Sequence, residues 1–231
     1  MAGLDFDGDY GRQYAATIRQ SVPGYDTLLE LGAAALAASC PSASRALVVG
    51  PGPGEELEGL LQAMPQAQLT LVEPSEQMLA GCRQRLAALG ASARASCFAA
   101  PLEQCAALTG QPFDAVICHH VLHLLPPAEQ GKLLGLLAAA VAPGGQLLLS
   151  SYSEDAQPDG LERVLAIARS RWLQQGVPAD RVELILASRN SRVFSLDGDH
   201  LGSALAAAGL EPPLQLFQAL FSRLWISRRP G

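Results

Sequence analysis

Ala46-Leu47-Val48-Val49-Gly50-Pro51-Gly52-Pro53-Gly54-Glu55-Glu56 reads as a buried strand, a glycine loop and the start of a helix. Glycine has no Cβ and tolerates φ > 0, so such a loop lets backbone approach a ligand closely. Nineteen residues past Gly54 stands Glu73, closing a second strand, Leu69-Thr70-Leu71-Val72-Glu73. An acid at the tip of the next strand is placed to accept hydrogen bonds from two ribose hydroxyls. Loop and acid together describe a nucleoside pocket at the carboxyl edge of a parallel sheet.

The spacing bears on which nucleoside. A dinucleotide fingerprint is G-x-G-x-x-G, and its third glycine lets a helix pack tightly under a pyrophosphate. Here Gly50 and Gly52 fit, but Glu55 stands in the third position. Counting from Gly52 and Gly54 puts Leu57 there instead. Two carboxylates, Glu55 and Glu56, open the helix and would repel a pyrophosphate. S-adenosylmethionine carries adenosine, a sulfonium and an amino-acid tail without phosphate, and fits this loop better.

The segment resembles motif I of the class I S-adenosylmethionine-dependent methyltransferases. Phe113 to Ile117, with Cys118-His119-His120-Val121-Leu122-His123, is similar to that family's fourth strand and following loop. Leu133 to Ala142, Pro143-Gly144-Gly145 and Gln146 to Ser150 are similar to its helix, P-G-G turn and fifth strand. The resemblance covers roughly residues 44–152 and the C-terminal end. It implies that Gly50, Pro51, Gly52, Gly54, Glu73 and Pro74 hold the cofactor. The acid or amide common in the family near Ala99 is missing, and Phe98, the backbone of Ala100, Leu102 or Glu103 is left as the candidate adenine contact.

At 231 residues the chain is expected to form one domain with a small elaboration. The hydrophobic fraction is 49%, yet no apolar run reaches the ~18–20 residues of a membrane span. Met1 to Asp9 lacks the pattern of a signal peptide. The net charge of −6 lacks the basic footprint of nucleic-acid binding. Five scattered cysteines, Cys40, Cys82, Cys97, Cys105 and Cys118, suit reduced thiols in the cytoplasm. A small-molecule partner, with no nucleic acid and no membrane, is expected, and a homodimer is left open.

Alternating strands and helices predict a doubly wound, Rossmann-like α/β fold. Strands are expected at about 45–49, 68–73, 94–98, 113–118 and 145–151, with a final pair at 214–220 and 221–228. This makes a mostly parallel seven-stranded sheet with an antiparallel C-terminal strand. Helices are expected at about 55–63, 75–88, 127–141 and 196–208. Residues 1–40, and an insert at 152–196 that reads as helical over 157–190, depart from the sheet pattern. They are expected to form a lid over the carboxyl edge. Six of the fifteen arginines, Arg163, Arg169, Arg171, Arg181, Arg189 and Arg192, fall in the insert. They read as a solvated helical face or as a site for an anion.

Ser21-Val22-Pro23-Gly24-Tyr25 and the apolar helix after it resemble the N-terminus of the carboxy-S-adenosylmethionine synthase family. Ala208 to Gln218 resembles that family's last helix and strand. That family grips a carboxylate with an arginine in the insert. The matching stretch here, Val182 to Ala187, contains none and is flanked by Arg181 and Arg189.

His119, His120 and His123 are expected beside the sulfonium. His119 and His120 are candidate bases, because histidine ordinarily titrates near neutrality. No carboxylate or cysteine joins them at zinc spacing, so no metal is expected. Tyr14 and Tyr25 in the N-terminal lid are candidates for orienting the donor tail or the substrate, with Tyr25 also against the cofactor. Tyr152 is a candidate catalytic and substrate residue, and His123, Asn190 and Ser191 are substrate candidates. Methyl transfer to a metabolite, with S-adenosylhomocysteine (SAH) as product, is the leading reading. Two alternatives use S-adenosylmethionine itself as substrate: cyclisation to azetidine-2-carboxylate plus methylthioadenosine, and carboxy-S-adenosylmethionine synthesis. A non-enzymatic binder is the third reading, and the intact loop and Glu73 speak against it.

Overall fold

The computed structural model describes residues 5–108, 110–154 and 158–231. Residues 1–4 of the expected N-terminal lid and 155–157 of the expected insert lie outside them. The strands are β1 (Arg45–Val49), β2 (Gln68–Val72), β3 (Ala95–Phe98), β4 (Phe113–His119), β5 (Val141–Tyr152), β6 (Leu214–Ala219) and β7 (Ser222–Arg228). They form one sheet in the order β3-β2-β1-β4-β5-β7-β6. The first five pair with one another in parallel. β7 runs antiparallel to both β5 and β6.

Alternate side chains of a strand point to opposite faces. Ala46 and Val48 of β1 therefore join one core, and Leu47 and Val49 join the other. The first core packs under α2 (Tyr25–Ser39), α3 (Leu57–Ala63) and α4 (Glu76–Ala88), through Leu28, Leu36, Leu60 and Leu79. The second packs under α5 (Pro127–Ala140) and α8 (Gly198–Ala207), through Leu134, Leu137, Leu201 and Leu205. Burial on both faces explains the near-continuous apolar runs of these strands.

Three boundaries differ from expectation. α3 begins at Leu57 rather than near 55, because Glu55 and Glu56 are still in the turn closed by Leu57 N–H on Gly54 O at 3.1 Å. β5 begins at Val141, and Pro143-Gly144-Gly145 forms a bulge inside it. Phe113 pairs with Val141, but Ala115 pairs with Gln146. A Cβ on Gly145 would lie 2.9–3.1 Å from the carbonyl oxygens of Ala142, Asp114 and Phe113, so only glycine fits this bulge. The stretch read as helical over 157–190 is two helices, α6 (Pro158–Gln174) and α7 (Ala179–Ala187). Gly176, at φ 80°, ends the first in a left-handed turn.

α6, α7 and the β6–β7 turn share a small third core of Leu165, Ala168, Trp172, Val177, Val182 and Phe221. α1 (Asp9–Ser21) is fastened to it. Trp172 Nε1 donates to Ser21 O at 3.1 Å, and Arg171 Nη1 donates to Gln20 O at 2.6 Å. At the other side Arg19 pairs with Asp26 at 2.8 Å and with Glu55 at 2.5 Å.

Candidate active site

The chain leaves β1 toward β2 on one side and returns to β4 on the other, so a crevice opens at the carboxyl end of β1. Gly50, Gly52 and Gly54 line that turn at φ 66°, 55° and 80°, each left-handed. Their surroundings differ. A Cβ on Gly50 would meet Val121 Cγ2 at 2.3 Å, and one on Gly54 would meet Leu57 Cδ1 at 2.5 Å. A Cβ on Gly52 would meet only the Tyr14 ring, at 3.8 Å, because this glycine faces the crevice.

Glu73 follows β2 and is 7% exposed. Its Oε2 accepts from Gly52 N–H at 3.1 Å, and its Oε1 accepts from Ser75 N–H at 3.0 Å. Burial pushes this carboxyl upward, against the pull of those two donors. Each oxygen has spent one acceptor position and keeps another. Ser75 caps α4 through Met78 N–H at 3.1 Å and donates to Asp7 Oδ1 at 2.7 Å. That bond straps the N-terminal segment onto the acid's flank and brings Phe6 to the crevice.

A cavity of about 440 Å³ occupies the crevice. Gly50, Gly52, Glu73 and Pro74 line its floor. Tyr14, Thr17 and Ile18, one face of α1, line it from above, as do Arg181, Leu184 and Ile185 of α7. Both expected lid segments thus border the same space. A second chamber of about 130 Å³ adjoins it, sharing Ser21, Val22, His120, His123, Ile185, Ser188 and Val193 with the first.

The histidines stand where the two spaces meet. His119 Nδ1 lies 3.1 Å from Ser150 Oγ, with its ring against Gly32 of α2. His120 adopts φ 54°, held by its N–H on Ser150 O at 2.9 Å. Its Nε2 is 3.4 Å from Ser222 Oγ. His123 packs edge-on to His120 at 5.7 Å, and its Nδ1 is buried without a partner. Burial pulls His119 down to about 3, His120 to about 4 and His123 to about 3. The near-neutral titration expected of His119 and His120 is therefore absent, and at neutral pH all three rings are uncharged hydrogen-bonding groups. Among the described residues no three His, Cys, Asp or Glu side chains converge as a metal site requires.

Other expected residues are placed differently. Tyr25 is buried behind the wall, its ring 6.0 Å from His120 and under the Arg19 guanidinium at 5.6 Å. Pro51 and Gly54 support the loop without lining either space. Phe98, Ala100 and Leu102 pack against the second core. Asn190 and Ser191 are exposed in a tight turn. Asn190 sits at φ 57° with its N–H on Val193 O at 2.8 Å, and Ser191 Oγ bonds to Ser188 O at 3.0 Å. The turn instead sends Arg189, Arg192 and Val193 inward. Tyr152 lines the second chamber, and its hydroxyl donates to Glu154. Glu154 also receives Arg189 Nε at 2.5 Å and Nη2 at 3.0 Å. Burial acts upward on the Glu154 carboxyl, but Arg189 and Tyr152 outweigh it and hold it low. Sequence reasoning missed this network, since Glu154 carries no spacing signal.

Glu55 is not a free charge at the helix start. Arg19 and Arg85 each reach it at 2.5 Å. Glu56 is buried, and loss of water pushes its carboxyl up to about 8, so it is largely protonated at neutral pH.

A family described as "Methyltransferase domain" matches residues 46–145. Trans-aconitate 2-methyltransferase of Variovorax paradoxus is 30% identical over 63% of this chain and 53% of its own length. Carboxy-S-adenosyl-L-methionine synthase of Stutzerimonas stutzeri is 30% identical over 72% of this chain and 69% of its own. The chain thus spans about half of the first relative and two thirds of the second. In architecture it is similar to magnesium protoporphyrin IX methyltransferase from Synechocystis, solved with bound SAH. The TM-score is 0.71 at 17% identity, covering 97% of this chain and 96% of that one. An O-methyltransferase family protein from Burkholderia thailandensis superposes with a TM-score of 0.66 at 21% identity, over 94% of this chain and 58% of that one. The chain belongs to the class I S-adenosylmethionine-dependent methyltransferase superfamily.

Proposed function

We propose that the protein transfers the methyl group of S-adenosylmethionine to a small-molecule acceptor. Two features suit this cofactor: the Gly52 face that a Cβ would fill, and the spare acceptor capacity of Glu73. Glu73 would hold the ribose, Gly50 and Gly52 would admit the backbone-close part of the ligand, and Tyr14 and Pro74 would flank it. Bound there, S-adenosylmethionine supplies an electrophilic methyl group on a sulfonium. His120 and His123 stand between the two spaces and would orient the acceptor. As neutral imidazoles they act first as hydrogen-bonding groups, and an unprotonated ring nitrogen takes the acceptor's proton as the new bond forms. The closed lid excludes water, and alignment supplies most of the acceleration.

The observation that carries this reading is the second chamber behind the histidines, which gives an acceptor its own space. Cyclisation of the donor's own tail needs no such space. The reading takes the chain as one domain lidded by residues 1–40 and 152–196. It acts in the cytoplasm on metabolites rather than nucleic acid, and a homodimer is compatible with it. Incubation with S-adenosylmethionine alone, then with an acceptor panel, tests it by mass spectrometry. SAH that appears only with an acceptor supports it. Methylthioadenosine formed without one, or a carboxylated donor formed with a panel member that supplies the carboxyl group, overturns it.

A further inference from the structure

The second chamber has a chemical character that the first lacks. Its volume of about 130 Å³ is close to that of the apolar ~150 Å³ cavity known to hold benzene. Leu165, Trp172, Leu186, Leu220 and Phe221 supply apolar walls. Among the described lining residues its one arginine is Arg189, whose Nε and Nη2 are both engaged by Glu154. The Tyr152 hydroxyl is spent on the same carboxylate. Arg181 and Arg192, by contrast, line the outer cavity and not this chamber. His123 lines the chamber, and its buried Nδ1 has no partner.

We propose that this chamber is the acceptor subsite, that it takes an uncharged, single-ring-sized apolar molecule bearing a hydroxyl, and that it rejects carboxylates. A hydroxyl both donates and accepts, so it satisfies His123 Nδ1 in either tautomer. A carboxylate only accepts. It would leave water for a neutral network in which Glu154 has already compensated Arg189. Burial keeps His123 uncharged at neutral pH, so it offers an anion no counter-charge. The assignment rests on the methyl-transfer reading for its place in catalysis, but the binding it specifies stands without it.

The test uses the full chain and two probes that share one ring, phenol and benzoate, titrated by ligand-observed NMR. Phenol is expected to bind, with benzoate about tenfold weaker or worse. Leu186→Trp fills the chamber and should weaken phenol about tenfold while leaving SAH affinity unchanged. Glu154→Gln frees the Arg189 guanidinium and should raise benzoate affinity about tenfold. If that variant does not fold, the wild-type comparison and Leu186→Trp still decide. Benzoate binding as tightly as phenol, no phenol binding, or phenol indifferent to Leu186→Trp overturns the assignment. Loss of SAH binding alone, with phenol retained, would strike the cofactor reading and leave the chamber standing.

Discussion

Glu73 and Gly52 act as a pair, because the Gly52 N–H is one of the donors that orient the Glu73 carboxylate. Glu73→Ala removes the oriented acceptor and frees two backbone donors. Two lost charge-assisted bonds to ribose, each ~1.5–3 kcal/mol, should raise the dissociation constant for SAH at least tenfold by calorimetry. A variant that binds within about twofold of wild type would remove Glu73 from the site. Gly52→Val is expected to lose binding altogether. The Cβ itself has room, 3.8 Å from Tyr14, but a β-branched residue at φ 55° is strained and its methyls enter the cavity. Normal SAH binding by a folded valine variant would show that this loop does not hold the cofactor. Both residues were legible in the sequence, because spacing along the chain alone sets the strand end, loop and acid. Arg189 and Glu154 were not, because 35 residues separate partners that only the folded insert brings together.

At the scale of elements, α1 and α7 share the roof of the outer cavity but are secured differently. α1 is held by Arg19 on Glu55 and Asp26, and by Trp172 and Arg171 on its last residues. These bonds are few and mostly at the surface, the pattern of a segment that opens locally. Hydrogen exchange over 9–21 and 179–187 should slow on addition of SAH, while 45–49 and 113–119 stay protected throughout. Deleting residues 1–20 removes Tyr14, Thr17 and Ile18 from the cavity but nothing from the sheet. Turnover should fall by about tenfold or more, with a loss of thermal stability of only a few degrees. Wild-type turnover by the truncated chain would reduce α1 to packing. The chain pattern located both segments, because neither continues the strand–helix alternation. It did not show the break between α6 and α7, since apolar spacing runs on across Gly176.

For the whole molecule, buried titratable groups set the pH range of stability. The three histidines titrate at about 3 to 4 when folded, below their ordinary value of 6.5. The unfolded chain therefore binds protons that the folded chain refuses. Stability is full above pH 6.5 and is lost as pH falls toward 4, by at most ~1.4 kcal/mol per pH unit for each ring. Glu56 acts with the opposite sign. Its folded value of about 8 lies above the ordinary 4.5, so its contribution is full below 4.5 and is lost as pH rises toward 8. Three histidines outweigh Glu56 below pH 6.5, and above it Glu56 prevails, with Glu73 pushed in the same direction. Thermal midpoints should peak near pH 6.5 and decline on both sides. A continued rise to pH 8.5 would mean that Glu56 is already ionised in the folded chain.

The sequence by itself determined the strand order's raw material: apolar strands, breakers between them (Pro143-Gly144-Gly145 included), the glycine loop and Glu73. Each is a local property, because backbone conformation and face alternation follow from neighbours along the chain. It also placed the three histidines at the carboxyl end of β4. Only the tertiary structure decided that they are uncharged at neutral pH, that Tyr25 is buried beside His120 and lines neither space, and that Asn190 and Ser191 are exposed. It alone divided the space beside α1 and α7 into an outer cavity with arginines and an inner chamber where, among the described residues, the one lining arginine is paired with Glu154. Burial, charge pairing and cavity shape arise from segments far apart in sequence, and no local pattern encodes which of them meet.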